Sequence, residues 1–319
     1  MKNAQLPFAP KYIDPMSDFG FKKIFKESGR KELLIRPLNA IFGLDIADLE
    51  IGESERQGET PDDRSACFDL FCTTADGKQF IVEVQRIKQP FFVERAIYYS
   101  AFPIAESAQR GRTGGVSWDY NFPPVFFLGL LDFDFRELHG SRGADPSSNP
   151  NPDSNSNPNL NPNPDQFIHR FSLRDDDTGK RMTESLRFAF LEIRRFDKTW
   201  EECTGFEEQF LYMMKNLHTF ASEPALQEES PYFRAMLDAA EYAQMSREQK
   251  RQYREEMRRD WDYKNTMDYA IAQGHAQGKE EGIAEGQRAI ARRMLADGLS
   301  VDLVVKYTEL SEEQVRGLA

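Results

Sequence analysis

The chain has 319 residues, a length that predicts about two domains with room for a sizeable core. The formal net charge of −12 and the pI near 5.0 exclude a protein that holds duplex nucleic acid by overall positive charge alone. No run of about 18 apolar residues occurs and the first residues lack the apolar core of a signal peptide, so we expect no membrane span. The three cysteines and four histidines lack metal-binding spacing, which predicts reduced thiols, no zinc and a cytoplasmic protein.

The amino-terminal region predicts two helices. The first is short and amphipathic, with apolar residues at i, i+3 and i+4, namely Phe21, Ile24 and Phe25. The second is predicted from about residue 31 to residue 42, where Pro37 could kink or divide it and Gly43 is expected to end it. Asp18 is expected to cap the first helix and Glu32 to be a solvated charge on the second, although either could reach a neighbouring site.

Two runs typical of β-strands flank a turn that contains glycine, which predicts an antiparallel hairpin over residues 67–85. Polar side chains interrupt both runs: Asp69 lies in the first, and Glu83 and Gln85 lie in the second. Carboxylates are rarely buried unless they are paired or bind a metal, so these residues are candidates for a functional site.

The register of this hairpin decides whether the two carboxylates meet. A three-residue loop over 75–77, with Gly77 in the left-handed conformation, places Asp69 directly opposite Glu83. Gln85 then shares their face, and opposed Cβ atoms lie about 4.5–5.5 Å apart, close enough for one cation to bridge both carboxylates. A two-residue turn would put the carboxylates on opposite faces. We predict the three-residue loop.

Two carboxylates and an amide suit Mg²⁺, a hard cation that prefers oxygen ligands and keeps several waters. Such a site is typical of metal-assisted hydrolysis of a phosphodiester. A half-exposed hairpin with a solvated polar face would have the same sequence, and the hairpin alone favours that simpler interpretation.

A long helix is predicted from Pro90 to about Gln109. It begins just after the second acidic strand, where it could lay Arg95 against a scissile phosphate, with Tyr98 and Tyr99 beside it. Packing of Arg95 on tyrosine rings at the surface explains the same pattern equally well.

A continuous apolar run over residues 124–133 predicts a buried strand. The Asn/Pro-rich segment at about 144–165 cannot bury enough apolar surface to offset its ordering entropy, so we expect a disordered loop expansion. Two more strands are predicted, over 166–173 and 186–196.

From residue 199 onward the pattern is helical. Capping-box patterns begin at Thr204 and at Ser246. A highly charged helix is predicted over 246–265, for which a solvated surface with i,i+4 ion pairs is favoured over a basic arm that touches DNA.

Four glycines then recur at a strict four-residue interval: Gly274, Gly278, Gly282 and Gly286. A glycine inside a helix costs about 1 kcal/mol relative to alanine, so close helix–helix approach, within or between chains, is expected to offset the cost. A flexible linker is the simpler alternative. Short helices over 289–296, 301–307 and 312–318 form a helix-turn-helix-like tail, for which packing or dimerisation is favoured over DNA reading.

In combination, these features resemble the recombination-promoting nuclease/putative transposase (Rpn) family of the PD-(D/E)XK nuclease superfamily. The resemblance rests on residues 18–25 and 33–42, the Asp69 hairpin with Glu83-Val84-Gln85, Arg95 with Tyr98-Tyr99, the strand at 125–133 and the glycine-spaced helix. It implies an α/β, restriction-endonuclease-like fold with a mixed central β-sheet flanked by helices and an α-helical C-terminal extension. The predicted domains are a nuclease-like domain over 1–200 and a helical region over 201–319.

The resemblance also implies Mg²⁺-dependent cleavage of DNA, with Asp69 and Glu83 as the metal carboxylates. Gln85 stands where the superfamily usually carries a catalytic lysine, and it has no charge to stabilise a developing phosphorane. Lys88 or Arg95 could supply that charge, or the metal could suffice; the accessory candidates are Asp18, Glu32, Arg95 and Tyr98. The alternative functions are a catalytically inactive nucleic-acid or protein-interaction module and an RNA nuclease, and a homo-oligomer through the C-terminal helices is possible.

Overall fold

The computed structural model describes residues 10–56, 66–89, 91–113, 122–135, 166–221 and 230–318. The predicted insert at 144–165 lies outside the described residues, as does Pro90. By its internal contacts the chain separates into two compact units, Met1–Tyr253 and Arg254–Ala319. The first compact unit contains residues on both sides of residue 200. The domain boundary predicted there stays a prediction, because one compact unit can contain more than one domain.

The described helices are α1 (Asp18–Phe21), continued by a π-helix (Lys22–Glu27), α2 (Glu32–Phe42), α3 (Phe92–Thr113), α4 (Phe206–Asn216), α5 (Pro231–Ala240), α6 (Arg247–Ala296), α7 (Val301–Thr308) and α8 (Glu312–Arg316). The described strands are β1 (Leu49–Ile51), β2 (Glu55–Arg56), β3 (Ala66–Cys67), β4 (Leu70–Thr74), β5 (Gln79–Gln85), β6 (Val125–Leu131), β7 (Ile168–Ser172) and β8 (Leu186–Glu192). Two short 3₁₀ segments follow α4 and α5, at Leu217–Thr219 and Tyr242–Gln244.

A six-stranded mixed sheet of order β1-β4-β5-β6-β8-β7 forms the centre of the first unit in the described chain. β1, β4 and β5 are antiparallel, β5, β6 and β8 are parallel, and β7 closes the edge antiparallel to β8. The three strands predicted after the hairpin are all present, each shorter than its predicted range. The mixed sheet flanked by helices confirms the predicted fold class.

Helices cover both faces of this sheet. On one face α2 lays Phe42 on the stacked rings of Phe80 and Phe126, with ring centroids 5.1 Å apart for Phe42 and Phe126. The other face is covered by α3, and its buried core consists of Ala66, Phe68, Phe71, Ile81, Phe92, Ala96, Phe127, Leu131, Phe133, Phe135 and Phe190. Gly129 of β6 allows this approach, because a Cβ there would lie 3.2 Å from the ring of Phe92 on α3 and 2.9 Å from the ring of Phe190 on β8.

The helices α4 and α5 complete the first unit by packing against α2 and the π-helix. The hydroxyl of Tyr232 donates to the carbonyl of Leu33 at 2.8 Å, and the amide of Ile13 donates to the carbonyl of Ala240 at 2.9 Å. Buried side chains on α1 and the π-helix confirm the predicted amphipathic helix.

The ends of the helices and their capping residues were only partly predicted. Pro37 lies inside a continuous α2, and Gly43 ends that helix in the left-handed conformation with φ 65°, as predicted. The N-cap of α1 is Ser17, whose hydroxyl accepts from the amide of Gly20, so the cap assigned to Asp18 was wrong. The capping box at Thr204 was also wrong, because Gly205 precedes α4 without a side-chain cap.

The second unit contains most of α6 and the tail. One helix of 50 residues, α6, replaces the separate helices predicted from 246 to 296. Ser246 and Gln249 form the predicted capping-box hydrogen bonds at its start, and Ser311 with Gln314 forms another at α8. Within the described chain, nothing approaches within 4 Å of where a Cβ of the four spaced glycines would lie, so no intrachain helix explains them.

The helix-turn-helix-like tail is confirmed as a small packed body. The end of α6 contributes Ala291 to a buried core with Val304 of α7, Leu310, and Val315 of α8. No helix in the described part of the chain combines the length and the apolar composition that crossing a bilayer requires.

Candidate active site

The hairpin of β4 and β5 has the predicted register. Leu70 pairs with Val82 and Thr73 with Gln79, so the pairing is symmetric about residue 76. Gly77 has φ 85°, and the amide of Thr74 donates to the carbonyl of Lys78 at 2.9 Å across the three-residue loop. The alternative two-residue turn is therefore excluded.

This register brings Asp69 and Glu83, hereafter the carboxylate pair, side by side. Asp69 lies one residue before β4, and its amide donates to Oε1 of Glu83 at 3.2 Å. The amide of Val84 donates in turn to Oδ2 of Asp69 at 2.6 Å. These two hydrogen bonds hold both carboxylates in place, with Glu83 only 6% exposed and Asp69 half-buried.

The carboxylate pair carries unfavourable charge. Burial, followed by the charge of Asp69, raises the pKa of Glu83 to about 8. Burial also raises the pKa of Asp69, and the charge of Asp18 adds to this, although the hydrogen bond from Val84 acts in the opposite direction. Among the described residues neither carboxylate forms an ion pair. A divalent cation would relieve this repulsion, so the pair suits such an ion.

Gln85, the last residue of β5, connects this strand to α3 through its side chain. It is only 8% exposed, and its Nε2 donates to the carbonyl of Ile87 at 2.8 Å, which fixes the orientation of the amide. Its Oε1 accepts a hydrogen bond from Arg95, which also donates to the side chain of Gln89. Both acceptors are neutral amides, so they position the guanidinium without cancelling its charge.

Arg95 also packs on aromatic rings, as the second interpretation of the sequence expected. Its guanidinium carbon lies 5.5 Å from the ring centroid of Phe92 and 5.8 Å from that of Tyr99. The positive charge of Arg95 lowers the pKa of both carboxylates in part. Arg95 therefore packs on aromatic rings and is also a positive group of α3 whose charge acts on both carboxylates.

The other accessory candidates lie on three different helices, α1, α2 and α3. Asp18 is exposed and forms an ion pair with Lys22 at 2.6 Å, and both charges act on Asp69. Glu32 is exposed on the first turn of α2, where its charge acts on Tyr232 of α5. Tyr98 is exposed on α3. Sequence reasoning missed Lys22, although its i+4 spacing from Asp18 was a usable signal.

The described chain offers few side chains that could act together as metal ligands. No group of three or more His, Cys, Asp or Glu side chains within the described ranges could hold a metal ion by itself. Two carboxylates remain, which is the number that suits Mg²⁺ when waters and substrate phosphate supply the other ligands. The geometry thus fits a hard divalent cation shared with a substrate better than an all-protein metal cage.

Two models of known protein families match the chain. The model of a family described as PD-(D/E)XK nuclease family transposase matches residues 15–142 and 155–270, which is most of the chain. A second model, described as Rpn/YhgA-like nuclease family, C-terminal HTH domain, matches residues 284–319. No curated protein matches the chain, and no solved structure matches it.

Proposed function

The chain belongs to the PD-(D/E)XK nuclease family transposases, with the C-terminal HTH domain of the Rpn/YhgA-like nucleases, and we propose that it is a Mg²⁺-dependent DNA endonuclease acting in recombination or transposition. One observation carries the proposal: the amide of Asp69 lies 3.2 Å from Oε1 of Glu83, and the two carboxylates have raised pKa values without an ion-pair partner in the described chain. When both carboxylates are ionised, such a pair is destabilising unless a cation binds it.

In this proposal Asp69 and Glu83 hold Mg²⁺, and the hydrogen bond from Val84 keeps Asp69 in position. When bound, the ion supplies a Lewis acid for the phosphate and lowers the pKa of an attacking water. Arg95 binds a non-bridging phosphate oxygen and stabilises the charge that develops there. Gln85 is a positioning residue that orients Arg95.

The HTH domain supports DNA as the substrate. The matched region contains the packed core of α7, α8 and the end of α6, and HTH domains are DNA-binding folds. Because the net charge is −12, we propose that this small domain recruits DNA and that Arg95 contributes a local positive charge at the carboxylate pair.

One observation favours a second function. Gln85 occupies the position where a lysine would provide a buried charge, so a catalytically inactive module that binds nucleic acid is the alternative. It predicts DNA binding without cleavage and no response to Glu83→Gln.

A plasmid-nicking assay in Mg²⁺ and in EDTA separates the two functions. We expect Asp69→Asn and Glu83→Gln to lower cleavage by about 100-fold or more, with DNA binding retained. Glu50→Gln, an exposed carboxylate on β1 of the same sheet, is the matched control and should cleave normally. Calorimetric titration with Mg²⁺ should lose its signal in the two site variants. Wild-type rates for Asp69→Asn would contradict the endonuclease proposal.

A further inference from the structure

Large apolar side chains are exposed in the segment that joins β5 to α3 and on the first turns of α3. Phe91 is 70% exposed and Tyr98 is 43% exposed, and Ile87 between β5 and α3 is exposed as well. Exposed apolar clusters of this kind on a folded protein mark binding surfaces more often than chance. The cluster begins two residues after the end of β5, the strand that carries Glu83 and Gln85.

Phe91 is also held in a strained backbone conformation. Its φ is 63°, and Glu309 is the other non-glycine residue with positive φ in the described chain. A residue with a Cβ pays about 1–2 kcal/mol for the left-handed region. An exposed ring recovers little of this through packing, and strained residues cluster at functional sites. In this conformation the carbonyl of Phe91 accepts from the amide of Arg95 at 2.9 Å, which is the first hydrogen bond of α3.

Phe91 and Tyr98, hereafter the aromatic platform, are the exposed rings before and after Arg95 in the chain, whereas the guanidinium itself packs on the rings of Phe92 and Tyr99. Phe91 immediately precedes α3, and its carbonyl accepts from the amide of Arg95; Tyr98 lies three residues after Arg95, about one turn further along the helix. At about 1.5 Å per residue, the two aromatic residues are separated by roughly 10 Å along the helix. The ring of Tyr98 packs edge-on against Phe102, with centroids 5.1 Å apart, which limits its rotation.

Alternation of exposed aromatic rings with a cation is the arrangement that binds single-stranded nucleic acid. The cation contacts the backbone, and the rings stack on bases. In a paired duplex the bases are already stacked on each other, so their faces are not available to a protein ring. A platform beside the scissile phosphate therefore selects strands whose bases are unpaired.

We propose that Phe91 and Tyr98 stack on unpaired bases on either side of the phosphate bound by Arg95, so that the preferred substrate is single-stranded or locally unpaired DNA. This inference rests on the proposed endonuclease function and specifies its substrate class. The charge of Arg95 and its hydrogen bond to Gln85 favour a nucleic-acid strand over an apolar protein partner as the occupant.

The test compares three DNA substrates: a single strand, a perfect duplex, and a duplex with a central unpaired bubble. Binding is measured in EDTA by fluorescence anisotropy, so that cleavage does not interfere. We expect Phe91→Ala and Tyr98→Ala each to weaken binding of the single strand and the bubble by about 5- to 100-fold, with the duplex little affected. Met182→Ala, which removes a side chain that is 73% exposed on the first unit, is the matched control and should bind like the wild type.

A 2-aminopurine base placed beside the bubble reports stacking directly. Its fluorescence should be quenched when the wild type binds, and the quenching should be lost in Phe91→Ala. Unchanged affinity and quenching in both platform variants would overturn the inference, as would an equal loss on the perfect duplex.

Cleavage measured in parallel separates this inference from the proposed function. Cleavage that depends on Asp69, together with normal binding by Phe91→Ala, would refute the platform alone. Selective binding of unpaired DNA through Phe91 without any cleavage would refute the endonuclease alone.

Discussion

Replacing Glu83 by glutamine should stabilise the metal-free protein at alkaline pH, although it removes a residue of the proposed active site. Glutamine keeps the shape of the side chain and an oxygen that can accept from the amide of Asp69. It removes the ionisable carboxyl group, whose pKa burial and the charge of Asp69 raise to about 8. The charge therefore destabilises the folded wild type only at pH values where Glu83 is ionised.

The size of the effect follows from the pKa. One pKa unit corresponds to about 1.4 kcal/mol, so a rise from 4.5 to about 8 corresponds to at most about 5 kcal/mol. Because Asp69 shares the repulsion and the site can relax, we expect about 2–3 kcal/mol. For a domain of this size that gain corresponds to a rise in Tm of roughly 5–10 °C.

The stability gained by Glu83→Gln depends on pH. Between pH 4.5 and about 8 the folded state binds the Glu83 proton more tightly than the unfolded state, so wild-type stability falls as the pH rises through this window. The advantage of Glu83→Gln should thus be small at pH 4.5 and full above pH 8.

Thermal and urea denaturation in EDTA at pH 5 and pH 8.5 measure this advantage, with the exposed Glu50→Gln as the control. Added Mg²⁺ should stabilise the wild type and leave Glu83→Gln nearly unchanged. A variant that is no more stable than the wild type at pH 8.5 would refute the assignment of a buried, repelled carboxylate.

Three further variants test the packing and the positive charge. Gly129→Ala places a Cβ 2.9 Å from the ring of Phe190 and 3.2 Å from the ring of Phe92 on α3, and should destabilise the protein by about 1–3 kcal/mol in urea denaturation. An unchanged midpoint would contradict the close packing of these two rings over β6. Glu192→Ala removes a fully buried carboxylate that binds Arg195, His169 and the amide of Phe135, although Arg195 keeps its ion pair with Asp134 at 3.8 Å. It should cost about 3–5 kcal/mol by the same measurement, and a loss below about 1 kcal/mol would show that this buried network is dispensable. Arg95→Ala should lower the cleavage rate by about 100-fold or more, and Arg95→Lys should recover part of that rate. If Arg95→Ala and the wild type cleave at equal rates in steady-state assays, Arg95 has no role at the phosphate.

Some local predictions failed because two side chains could satisfy the same local signal. Both Ser17 and Asp18 can cap a helix, and the choice of Ser17 depends on where the chain enters α1. The predicted capping box at Thr204 fails because Glu208, which forms an ion pair with Lys198 at 2.5 Å, accepts the amide hydrogen bond of Thr204.

The length of α6 was also beyond sequence reasoning. The glycines and the changes of charge pattern predicted several helices, whereas the backbone hydrogen bonds continue through all 50 residues. Helix propensity is a weak signal over short windows, so it places helices better than it places their ends.

The amino-acid sequence by itself determined the hairpin and its register, because a strand alternates every two residues and a left-handed glycine sets the length of the turn. These local rules were enough to place Asp69 opposite Glu83. Only the tertiary structure decided the environment of that pair: burial raises the pKa of Glu83, and α3, which packs on the sheet over Gly129, brings Arg95 to Gln85. Burial, pKa and the exposure of Phe91 depend on contacts between segments distant along the chain, and no local pattern encodes them.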